Sequence, residues 1–144
     1  MIEEMPIEFW HGIEQFNSQD FYACHDTLEA LWMESGEPEK RFYQGILQIA
    51  VALYHLSNQN WRGAVILLGE GISRLSYYQP SYAEIAVADL LGQSAKLLSA
   101  LQQAGPEAVA NFLPLFADTE VAGLQLPYIL KDQTTVDTSS NYLR

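Results

Sequence analysis

Cysteine is almost missing from this chain. Cys24 stands alone among 144 residues, which excludes an internal disulfide framework and any multi-cysteine metal ribbon. Cations are scarce as well: seven Lys and Arg face eighteen Asp and Glu, for a formal net charge of −11. Binding a nucleic-acid backbone takes clustered Lys and Arg, so no nucleic-acid partner is expected. Long apolar runs are also lacking. The longest surrounds Ile46–Leu56 and is broken by Gln48 and His55. It falls far short of the ~20 residues that a bilayer core demands, so no membrane span is expected. Glu3 and Glu4 occupy the place where a secretory leader carries cations, which points to a cytoplasmic protein.

Helix formers fill the space these absences leave. Ala, Leu, Gln and Glu dominate, and before residue 120 no five-residue stretch alternates with β-branched residues as a strand would. Pro6 suits a first helical turn, followed by the apolar stripe Phe9, Ile13 and Phe16 at helical spacing. Asp20 is placed to cap a second helix running to Glu34, with Ser35–Gly36–Glu37–Pro38 as the turn behind it. A third helix is predicted over Glu39–Leu56, a fourth over Asn60–Tyr78, a fifth over Tyr82–Gln103 and a short sixth over Glu107–Phe116. The predicted class is all-α: packed antiparallel helical hairpins with an irregular C-terminal tail. Residues 1–117 form the helical domain in this reading. In residues 118–144 the segment Leu126–Leu130 packs as an extended strap and the last dozen residues are mobile.

The chain also echoes itself. Phe16-Asn17-Ser18-Gln19-Asp20-Phe21 recurs as Leu56-Ser57-Asn58-Gln59-Asn60-Trp61. Each copy ends one helix and starts another, as two hairpins of similar construction need when neither can bury its apolar face alone. Charge is uneven: ten acids precede the first base, Lys40, which reads as a solvated acidic surface.

One constellation carries candidate chemistry. At about 100° per residue, Phe21, His25, Leu28, Glu29 and Trp32 share one helical stripe, and His25 and Glu29 are i, i+4 neighbours. The third helix is apolar nearly all round, yet Gln44, Gln48 and His55 lie within roughly 40° of one another on it. Buried polar groups left unpaired cost ~1–3 kcal/mol each, so His25, Glu29, Gln48 and His55 are expected to converge between the second and third helices. Three readings of such a cluster compete. It is a satisfied hydrogen-bond network. It is a small-molecule or acid–base pocket lined by Tyr22 and Trp32. Or it is a metal site of two histidines and a carboxylate. The third departs from the known templates, lacking both the Glu-x-x-His pairs of carboxylate-bridged bundles and a His-Glu-x-x-His. No metal ligand and no cofactor are therefore assigned. Cys24 points about 100° away from His25 and reads as buried and inert. Trp61, Tyr77, Tyr78 and Tyr82 bracket one corner, and exposed aromatics there would favour a homodimer.

Phe21-Tyr22-x-x-His25-Asp26-x-Leu28-Glu29-x-x-Trp32, followed by Gln44-Gly45-x-x-Gln48-x-Ala50-Val51-Ala52-x-x-His55 and Asn60-x-x-Gly63-Ala64-x-x-Leu67-Leu68, resembles the domain of unknown function family 309. The resemblance spans about residues 9–75 and implies packed helical hairpins. Asp26 stands where the family more often has glutamate. The resemblance transfers a fold and a set of residues, not a reaction. Two functions follow as expectations: a non-enzymatic interaction or scaffold domain, or a small-molecule-binding or hydrolytic protein that uses the His/Glu cluster, with or without a metal.

Overall fold

Pro6 is extended and α1 (Ile7–Asn17) begins at the next residue; a computed structural model describes residues 4–132 of the chain. The predicted stripe of Phe9, Ile13 and Phe16 is buried. Helices α2 (Phe21–Glu34), α3 (Glu39–Ser57), α4 (Trp61–Leu75) and α5 (Val87–Ala104) follow, then a 3-10 helix at Pro106–Ala117. The described residues contain isolated β-bridges but no named strand. None of their helices is long and apolar enough to cross a membrane.

Helix α3 is the centre of the arrangement. It packs against α2 on one side and, most extensively, against α4 on the other, while α1 covers α2 and α5 covers α4. Its burial follows from its composition, with Phe42, Ile46, Ile49, Ala50, Ala52, Leu53 and Leu56 fully enclosed. Two glycines set the closeness of α3 and α4. A Cβ on Gly71 would sit 2.7 Å from Ile49 Cγ1 and 3.0 Å from the Gly45 carbonyl oxygen, and one on Gly45 would sit 2.6 Å from Leu75 Cγ. Only hydrogen fits at either place.

The internal echo is a repeated turn. Gln19 and Gln59 are both left-handed, with φ of 65° and 61°. Asp20 N donates to Gln15 O and Asn60 N to His55 O, each over 2.8 Å. The caps differ: Asn60 Oδ1 accepts from Gly63 N at 3.0 Å, whereas the Asp20 side chain makes no capping bond.

The predicted fifth helix is corrected at its start. Tyr82–Ile85 forms a two-residue turn closed by Tyr82 N to Ile85 O (3.1 Å) and Ile85 N to Tyr82 O (2.8 Å). Ala83 and Glu84 are held at φ 52° and 63°. Such turns normally carry Asn or Gly, so helix-forming residues conceal this one. Tertiary anchors impose it. Tyr82 lies 4.7 Å from Phe42 and 4.8 Å from Tyr78, and its hydroxyl donates to Glu39 at 3.1 Å. The fourth α-helix stops at Leu75, with Ser76–Tyr78 a 3-10 turn. The predicted sixth helix winds as 3-10 and contains Pro114, which lacks the N–H that an α-turn needs. The aromatic corner is largely used internally. Trp61 donates to Leu101 O at 2.7 Å, Tyr78 donates to Pro38 O at 2.6 Å, and Tyr77 is the member left 78% exposed. The extended strap is present, and residues 133–144, expected to be a mobile tail, lie outside the described residues.

Burial above all, with the charge of Asp20 adding, pushes the Cys24 thiol from an ordinary 9.0 up to about 12. Burial, then the bond to Glu39, likewise raises the Tyr82 phenol. The folded thiol loses its proton later than the unfolded one, so its contribution to stability is complete below pH 9 and is lost as pH climbs toward 12. At pH 8, where the reactive thiolate is suppressed, Cys24 is expected to resist a thiol reagent in the folded protein and to label rapidly in denaturant. Rapid labelling under native conditions would contradict its burial.

Candidate functional site

The i, i+4 spacing on α2 does bring His25 and Glu29 together: His25 Nε2 lies 3.7 Å from Glu29 Oε2. The other ring nitrogen, Nδ1, is 3.3 Å from Asp26 Oδ1. Ligand-type atoms of His25, Asp26 and Glu29 all fall within 4.8 Å of one another. The group is open to solvent, with side-chain exposures of 25% for His25, 61% for Asp26 and 49% for Glu29. Ion pairs this exposed contribute little to folding.

Gln48 and His55 go elsewhere, which corrects the expected convergence. Gln48 is buried; its Nε2 donates to Glu70 at 3.1 Å and its Oε1 accepts from Arg74 Nε at 3.0 Å. His55 Nδ1 lies 3.2 Å from Asn60 Nδ2. Because the oxygen of that amide is taken by Gly63 N, Asn60 donates to the imidazole and the neutral ring carries its proton on Nε2. The His55 ring also lies where a Cβ on Gly63 would be, 2.9 Å away. Gln44, one turn before Gln48, is half-buried. The polar stripe of α3 therefore meets α4, not α2. The reason is chemical: a buried amide needs a donor and an acceptor at once, and Glu70 with Arg74, one turn apart on α4, supplies both.

Aromatic rings link the two surroundings. Tyr22 on α2 stacks edge-on against Tyr54 on α3 with centroids 5.4 Å apart, and the His25 ring is 6.1 Å from Tyr22. Tyr22 is 58% exposed and Tyr54 37%. Trp32 ends the stripe. Lys40 Nζ lies 4.3 Å over its ring and donates to its carbonyl at 3.1 Å, while its buried indole N–H has no hydrogen-bond partner among the described residues. What α2 and α3 present together is an open face of Tyr22, His25, Asp26, Glu29 and Tyr54. A hollow of about 350 Å³ opens away from it, lined in part by Phe16, Asn17, Asp118 and Tyr128.

Sequence reasoning left out Asp26, Tyr54, Glu70 and Arg74. Glu70 and Arg74 carried a usable signal, since an acid four residues before a base marks one helix face. Asp26 carried a weaker one as the immediate neighbour of His25. Tyr54 had none, because an apolar-looking position on an apolar helix does not announce exposure.

Residues 9–67 match the family described as "Domain of unknown function (DUF309)". That stretch holds His25, Asp26, Glu29, Trp32, Gln44, Gln48, Tyr54 and His55, and stops short of Glu70 and Arg74. Over 61 residues, 42% of this chain, the sequence is 39% identical to the "Uncharacterized protein YpuF" of Bacillus subtilis (strain 168). The matched stretch spans 35% of that relative's length. No solved structure matches the chain.

Proposed function

Starting from that resemblance, we propose that the domain is a non-enzymatic interaction module that engages a partner through the α2–α3 face. The observation that carries this reading is the Tyr22 ring, 58% exposed yet braced against Tyr54 at 5.4 Å beside His25. Aromatic side chains held rigid at a surface are the usual anchors of protein interfaces, and folding has little use for the exposed carboxylates around them. The open setting also supports binding over hydrolysis, which gains from a site that excludes water. With wild-type chain and a Tyr22→Ala/Glu29→Gln variant as paired baits, a partner held by the first is expected to be lost at least tenfold by the second, roughly 1.4 kcal/mol or more of binding, at unchanged melting temperature. Equal retention would overturn the assignment of the face.

A second reading rests on the compactness of the triad: His25, Asp26 and Glu29 hold a divalent cation. One nitrogen and two carboxylates suit zinc or manganese. Calorimetric titration with either ion distinguishes the readings. One ion per chain, lost in Glu29→Gln and weakened at acid pH because a histidine ligand must shed its proton, would favour the cation.

A further inference from the structure

Residues after the 3-10 helix are gripped in an unusual manner. The amide of Asn17, the last residue of α1, reads both backbone groups of Ile129, accepting from its N–H at 2.8 Å and donating to its carbonyl at 2.9 Å. The amide of Gln93 on α5 does the same for Tyr128, with both bonds at 2.9 Å. Successive residues of an extended chain turn their polar groups to opposite sides, and here each side meets one amide. Ala86 N then takes Leu130 O, and Asp132 N takes Glu84 O, each at 2.9 Å. Ile129 is 3% exposed, and Lys131 Nζ sits 4.3 Å over the Trp10 ring. This is how a groove holds a peptide: side-chain amides stand in for a neighbouring strand, and one pocket takes an anchor residue.

We propose that the groove between α1 and α5 is a docking site for the extended segment 126–132 and that a second copy of this chain fills it in trans by exchanging that segment. The occupant is set by what already fits: every copy carries the same segment, so exchange preserves each contact above and closes a two-fold dimer. The connection favours it. Residues 118–125 are largely exposed, and Pro127 and Ile129 are the buried residues between Asp118 and Asp132, so the segment detaches with the helical core intact. The connection is also strained. Asp118 accepts its φ of 57°, as Asp readily does, but Ala122 sits at φ 51°, a region that residues other than Gly, Asn and Asp avoid. A tight turn, Val121 N to Leu124 O at 3.2 Å and Leu124 N to Val121 O at 2.8 Å, folds the connection back. Opening that turn frees Ala122 and lets eight residues (118–125) reach roughly 26–29 Å. Strain stored in a short hinge drives exchange of this kind.

Ala122→Pro tests it, since proline cannot take a positive φ. Sedimentation equilibrium is expected to show the variant dimerising at least tenfold more tightly than wild type. Adding Asn17→Ala and Gln93→Ala to it is expected to restore the monomer with unchanged helical circular dichroism. A variant with native helicity that stays monomeric, or a dimer indifferent to the two amides, would overturn the proposal. Wild-type chain guards against a variant that fails to fold. In an equal mixture of isotope-labelled and unlabelled protein at ~1 mM, contacts between Ile129 and the Asn17 side chain are expected across labelled and unlabelled copies. Contacts confined within one copy would overturn the proposal equally. The α2–α3 face takes no part in either measurement.

Discussion

Phe42→Ala is expected to lower the unfolding free energy by about 3–5 kcal/mol, the cost of emptying a fully enclosed aromatic site. Phe42 is 0% exposed and lies 5.9 Å from Phe9 on α1, 5.2 Å from Tyr78 and 4.7 Å from Tyr82. It thus joins the first helix, the central helix and the turn that opposes the C-terminal strap. Its loss removes packing from three elements at once, and no neighbour is free to fill the space without leaving another contact. Urea unfolding checks the value through the shift in midpoint at constant slope. A loss below about 1 kcal/mol would mean that the corner collapses without penalty.

Gln48→Ala is expected to cost about 2–3 kcal/mol, the scale for a buried hydrogen bond to a charged group. The amide closes a bridge between α3 and α4, where Gly45 and Gly71 bring the backbones together. Alanine leaves the Arg74 guanidinium half-buried without its acceptor. Replacing Gln48, Glu70 and Arg74 together by apolar residues is expected to cost less than the single changes sum to, because no charge is then stranded.

The sequence made much of this legible. The apolar stripe of α1, the repeated turn and the extended strap are each readable, because local chemistry and tertiary packing demand the same conformation there, whereas the capping bond expected of Asp20 does not form. The Tyr82–Ile85 turn is not readable, since Ala83 and Glu84 favour helix and distant rings override them. The candidate site was half legible. His25 and Glu29 follow from spacing within one helix. The partner of Gln48 does not, because a central helix has two neighbours and helical periodicity does not say which of them a polar stripe will meet. Only the chemistry of Glu70 and Arg74 breaks that symmetry.

The central claim is that the polar residues of α2 and α3 divide into a lock between α3 and α4, closed by Gln48, and an open face on α2 that folding does not require. Unfolding free energies of Glu29→Ala and Gln48→Ala, taken in parallel urea titrations, test it directly. Glu29→Ala should stay within about 0.5 kcal/mol of wild type, as exposed positions do, while Gln48→Ala loses about 2–3 kcal/mol. Large losses of equal size in both would place the two side chains in one buried network and contradict the account.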